Sequence, residues 1–155
     1  MNLATLMTDL AACNAEVKVN NVVTQTSLGL SSIQMGFLND LNVQDEIFPL
    51  CLVIPPSGGR LKDKTHKDKL DVYIIFLDRS TTGERYTPAE RPAVYELIKN
   101  TGYALIDRLF ALTTQTGPKY QRISDESHER NLDEIISQPC IWMQFTLTVK
   151  TADCV

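Results

Sequence analysis

The first periodic pattern in the chain is a stripe of apolar side chains that recur every three or four residues. The stripe consists of Leu3, Leu6, Met7, Leu10 and Ala11. This spacing is typical of an amphipathic helix, which we expect over residues 3–14. Asn2 precedes the stripe and is the predicted N-cap, because its side chain can accept a hydrogen bond from a free amide of the first turn.

Four segments have the composition or the two-residue period of β-strands. They are residues 28–38, Ile47–Ile54, Val72–Leu77 and 140–149, the last with Ile141, Met143, Phe145, Leu147 and Val149 in alternation. Val72–Leu77 is apolar throughout and is bounded by Asp71 and Asp78, which predicts a central strand covered on both faces. Pro49 cannot donate a ladder hydrogen bond, so we expect it at the start or edge of its strand.

A long helix is predicted in the second half of the chain. Thr87–Glu90 has the spacing of a capping box with proline at the first helical position, and Arg91-Pro92 is the alternative start. An apolar face then runs to about Leu112, which gives a helix about 30 Å long. Gly102 lies within it, and we expect this glycine to permit a close approach to the sheet.

The segment between this helix and the last strand supports no single prediction. Lys119–Ile123 shows weak strand alternation. Beyond it, either a short helix begins near Ser127 or the whole of residues 124–138 is a connection. Together the elements predict an α+β fold for residues 1–155, a single domain with a mixed or antiparallel sheet packed by the N-terminal helix and the long helix.

A highly charged segment at about residues 55–70 separates two of the predicted strands. It contains the flexible pair Gly58-Gly59, and its basic residues alternate with acidic ones. The candidate interface residues in it are Arg60, Lys62, Lys64, His66, Lys67 and Lys69. Loops of this length are commonly functional or unstructured. The segment is therefore either a solvated loop or an arm that becomes ordered against a neighbouring subunit.

Composition and charge narrow the possible functions. The 155 residues are 43% hydrophobic and 22% charged, as in an ordinary soluble domain, and the net charge is −4. The apolar runs are far shorter than the ~20 residues that span a bilayer, so we expect no membrane partner. An acidic chain is poorly suited to bind duplex DNA on its own, since that affinity depends on neutralising phosphates.

No motif in the chain predicts a catalytic, metal or cofactor site. The cysteines lack zinc-site spacing and are expected to be reduced thiols; they are Cys13, Cys51, Cys140 and Cys154. One enzymatic alternative is a metal-dependent nuclease that uses Asp71, Asp78 and Glu90 at strand ends, although charges often mark where a strand leaves the core. Another alternative is a monomeric adaptor domain with an exposed apolar patch. We expect no enzyme.

Four segments, taken in order, carry a resemblance to a known family. They are the N-terminal helix, Gly36–Asp40 leading into Ile47–Pro56, the Asp71–Asp78 strand, and the ending from Asn131-Leu132-Asp133 through Gln144–Val149. With this order of elements the chain resembles the tail-completion and tail-terminator proteins of tailed bacteriophages and related neck-ring (head–tail connector) subunits. The resemblance covers most of the chain.

This resemblance implies a structural virion protein that is made in the host cytoplasm. Its subunits would form a homo-oligomeric ring at the head–tail junction or the tail end. The ring would stack on portal, connector or tail-tube proteins and let DNA pass through its lumen without sequence recognition. A closed ring needs two different complementary patches on each subunit. We expect one at the 55–70 arm and the other on a sheet edge or helix.

Overall fold

A computed structural model describes residues 3–37, 48–54, 69–79, 86–130 and 140–151, with side chains for 3–37, 48–54, 74–78 and 86–120. Two helices and nine strands lie in these ranges. In chain order they are α1 (Leu3–Asn14), β1 (Val17–Val19), β2 (Val22–Gln25), β3 (Ser32–Met35), β4 (Leu50–Ile54), β5 (Lys69–Arg79), α2 (Arg91–Phe110), β6 (Thr113–Thr114), β7 (Gly117–Pro118), β8 (Tyr120–Arg130) and β9 (Cys140–Thr151).

The main sheet has five strands in the order β3-β4-β5-β9-β8. β3 and β4 are parallel, whereas all other neighbours in this sheet are antiparallel. The predicted α+β fold with a mixed sheet is thereby confirmed. β5 lies in the middle of the sheet, as its apolar sequence predicts. It pairs over its whole length with β9, which comes more than sixty residues later in the chain.

The described side chains of β4 and of the middle of β5 are buried on both faces. Cys51 and Val53 lie opposite Phe76 and Ile74 in the ladder, and this face packs against α1 and α2 in the hydrophobic core. The other face carries leucine and isoleucine side chains that are at most 1% exposed; they are Leu50, Leu52, Ile75 and Leu77. The prediction of a central strand covered on both faces is therefore confirmed for Ile74–Leu77, the part of the predicted run whose side chains are described.

The two long helices match their predicted positions. α1 has the expected bounds and buries Leu6, Leu10 and Cys13. The capping box forms, because Thr87 N donates to Glu90 Oε2 at 2.9 Å and Glu90 N donates to Thr87 Oγ1 at 3.3 Å. These bonds close a turn before the helix, and α2 begins at Arg91, as the alternative start predicts. Gly102 is buried within α2.

Three parts of the fold differ from the predictions. The strand expected over 28–38 is limited to Ser32–Met35, and two short hairpins, β1–β2 and β6–β7, were not predicted. β8 continues through Arg130, so both interpretations of residues 124–130, a short helix and a connection, are wrong. The reason is tertiary, since backbone pairing with β9 holds this polar segment extended.

Several expectations lie outside the described residues. These are the N-cap at Asn2, the strand ends at residues 38 and 47, the arm from 55 to 68 and the interpretations of 131–138. Lys69, the last of the candidate arm residues, is the first residue of β5, and its partner in the ladder is Lys150. The regular strand therefore begins before the apolar run that predicts it.

Candidate subunit interface

The β1–β2 hairpin is the most exposed apolar element among the described side chains. Its strands are joined by Asn20 and Asn21, whose φ angles are 50° and 64°. A two-residue type I′ turn requires positive φ at both central positions, and asparagine adopts it readily. The turn places Val19 opposite Val22 and Lys18 opposite Val23.

The four valines of the hairpin face solvent. The exposed fractions are 40% for Val17, 54% for Val19, 64% for Val22 and 43% for Val23. A two-stranded ribbon has no core of its own and is marginal in water, so it depends on what holds its base. An exposed apolar cluster on a firmly held element is a typical docking surface.

Gln25 ties the base of the hairpin to the C-terminal end of α1. Its Nε2 lies 2.7 Å from Ala15 O, 2.9 Å from Ala12 O and 3.4 Å from Cys13 O. The last carbonyl groups of a helix have no partner within the helix, and a side-chain donor satisfies them at little cost. One side chain of β2 thus caps α1 and fixes the hairpin to it.

Arg108 of α2 holds the same junction from the other side. Its Nη1 donates to Cys13 O at 2.8 Å and to Thr26 O at 2.7 Å, and its Nη2 donates to Thr26 Oγ1 at 3.3 Å. A guanidinium suits this position because it donates in several directions and its positive charge complements the C-terminal end of the α1 dipole. The hairpin is therefore fixed to both helices.

Asn14 completes the junction on the side of the following segment. Its Nδ2 donates to Leu30 O at 3.0 Å, and Leu30 N donates to Asn14 Oδ1 at 3.1 Å. Leu28 N also donates to Asn14 O at 3.0 Å. We call Asn14, Gln25 and Arg108 the hairpin anchor. These three side chains make hydrogen bonds to residues both near and far in the chain, so the exposed valines have a defined position relative to the core.

A second apolar surface, which we call the α2 depression, lies between the first half of α2 and the adjoining ends of β4 and β5. It is lined by Leu30, Pro49, Phe76, Leu77, Asp78, Leu97, Ile98 and Thr101. Leu97 is 57% exposed and forms part of its rim. The depression is recessed and mostly apolar, whereas the hairpin is an exposed two-stranded ribbon.

A polar cluster joins α1 to the start of β8. Tyr120 donates from its hydroxyl to Asp9 Oδ2 at 2.5 Å, and Lys119 Nζ lies 2.7 Å from the same oxygen. Tyr120 is buried, while the side chains of Asp9 and Lys119 are 15% and 23% exposed. Every polar atom named in this cluster has a protein partner, which indicates a structural role.

The two cysteines whose side chains are described have no features of a nucleophile. Burial, and secondly the nearby charge of Asp9, raises the pKa of the Cys13 thiol, while Arg108 opposes this shift. Complete burial raises the pKa of the Cys51 thiol far above its ordinary value. Since the thiolate is the reactive form, neither residue is suited to covalent catalysis.

Comparison with known proteins identifies no family: no protein-family model matches the chain, and no curated protein is significantly similar to it. Within the described ranges, neither helix is both long and apolar enough to cross a bilayer. The same ranges contain no group of three or more His, Cys, Asp or Glu placed to hold a metal ion. Any functional proposal must therefore rest on the fold and the contacts of this chain.

The three carboxylates of the nuclease alternative do not come together. Asp71 and Asp78 are seven positions apart on β5, which is about 23 Å along a strand. Glu90 is exposed, and its Oε2 accepts the hydrogen bond from Thr87 N in the capping box. One metal ion cannot bind both aspartates, so this catalytic set does not form.

The hairpin could have been found in the sequence. Asn20-Asn21 lies between Val19 and Val22, and asparagine is the residue besides glycine that most readily adopts the positive φ of a two-residue turn. It was missed because its valines are exposed, so they show no alternation of buried and polar positions. No local sequence pattern predicts the α2 depression, because its lining residues are scattered along the chain between Leu30 and Thr101.

Proposed function

We propose that this chain is a structural subunit of a tailed-bacteriophage virion that forms a ring at the head–tail junction or the tail end. The ring joins its neighbours in the particle and leaves a channel for DNA. The resemblance described above suggests this function. The observation that carries it is the β1–β2 hairpin, which presents four exposed valines from a firmly anchored position.

The size of the hairpin contact supports repeated association rather than a tight dimer. The exposed fractions of its valines amount to about two whole side chains. Val23 pairs with Lys18 and lies on the other face from the Val19–Val22 pair, so one partner surface cannot cover all four valines. Their full burial sets an upper limit of about 3–6 kcal/mol on the stabilisation of a contact. Association itself costs roughly 4–15 kcal/mol in lost freedom, so one such contact is insufficient and several must act together. Ring closure helps, because the last contact forms between subunits that are already held together and carries no further association cost.

Charge supports the proposed channel for DNA. The net charge of −4 includes the arm at residues 55–70, whose sequence contains five basic residues and two aspartates. The rest of the chain is therefore still more acidic. An acidic lumen releases phosphates rather than binding them, which suits DNA that must pass through. The basic arm is the proposed second contact, with an acidic neighbouring surface as its partner.

The first experiment is to measure the mass of the purified chain across a concentration series, with negative-stain imaging of large species. Annular particles whose fraction rises with concentration support the ring. A strict monomer at high concentration counts against it and favours the adaptor alternative, for which the same exposed hairpin would be the docking surface. Deleting residues 58–68 tests the arm, since we expect a folded monomer that no longer forms rings.

A further inference from the structure

We draw no further inference here: the strongest candidate, the exposed valine cluster of the β1–β2 hairpin beside the C-terminal end of α1, carries none because nothing in the structure shows what covers it.

Discussion

Replacing Arg108 with methionine removes the contact that ties α2 to the end of α1 and to the hairpin base. Three hydrogen bonds are lost, two of them to backbone carbonyl oxygens at 2.7 and 2.8 Å. Methionine keeps much of the aliphatic packing of the arginine stem. A hydrogen bond to a charged group contributes about 1.5–3 kcal/mol. Arg108 is half-buried and water can replace it in part, so we expect a total loss of about 2 kcal/mol.

Thermal unfolding and hydrogen exchange measure this effect. For a chain of this length about 2 kcal/mol corresponds to a fall in Tm of roughly 4–8 °C. The amides of β1 and β2 should also exchange faster than those of β5. Lys99→Met is the matched control on the same helix, because Lys99 makes an exposed pair with Glu96 at 2.9 Å. Such a pair contributes less than about 1 kcal/mol.

Two results would refute the anchor. The first is a loss of stability in Arg108→Met no larger than in Lys99→Met. The second is unchanged hydrogen exchange in the hairpin, which would mean that the ribbon is held without Arg108. A double-mutant cycle with Gln25→Ala gives a further check, since residues that act on the same carbonyl, Cys13 O, are expected to be coupled.

Three further predictions concern single residues elsewhere. Tyr120→Phe removes the hydroxyl that donates to Asp9 and should lower the free energy of unfolding in urea by about 1.5–3 kcal/mol; an unchanged value contradicts the structural role of that cluster. Burial raises the pKa of the Cys51 thiol, so the folded chain keeps a proton that the unfolded chain releases above about pH 9.0. Stability should therefore fall as pH rises above that value, by at most about 1.4 kcal/mol per unit for this group, and the slope should be smaller in Cys51→Ala. Asn21→Val should cost about 1–3 kcal/mol, because a branched side chain disfavours a φ of 64°, whereas Asn21→Gly should not; equal losses would contradict the type I′ turn.

The elements that the sequence predicted correctly are those whose burial repeats along the chain. α1 and α2 have apolar faces with helical spacing, and their buried residues lie on those faces. β5 has a long apolar run, and its described side chains from Ile74 to Leu77 are buried on both sides of the sheet. In each case the core selects residues at a fixed period, so the pattern is present in the sequence itself.

The strand at Ser124–Arg130 and the hairpin anchor were missed because their partners are distant in the chain. Residues Ser124–Arg130 are polar, and they form a strand because β9 pairs with them. The hairpin anchor joins Arg108 to Cys13 across 95 positions. No local pattern encodes either contact. The arm residues from Arg60 to Lys67 stay a prediction, since they lie outside the described residues.

The position of β9 in the sheet has a consequence for how the chain folds during synthesis. β9 follows all the other described strands in sequence, yet it lies between β5 and β8 in space. One edge of β5 therefore cannot pair with β9 until the ribosome has made the residues up to Thr151. Folding must close contacts of long sequence separation, which is slow compared with local helix formation. During that interval the backbone groups along this edge of β5 are unpaired and can pair with other nascent chains, so timely completion of the sheet protects the protein from aggregation.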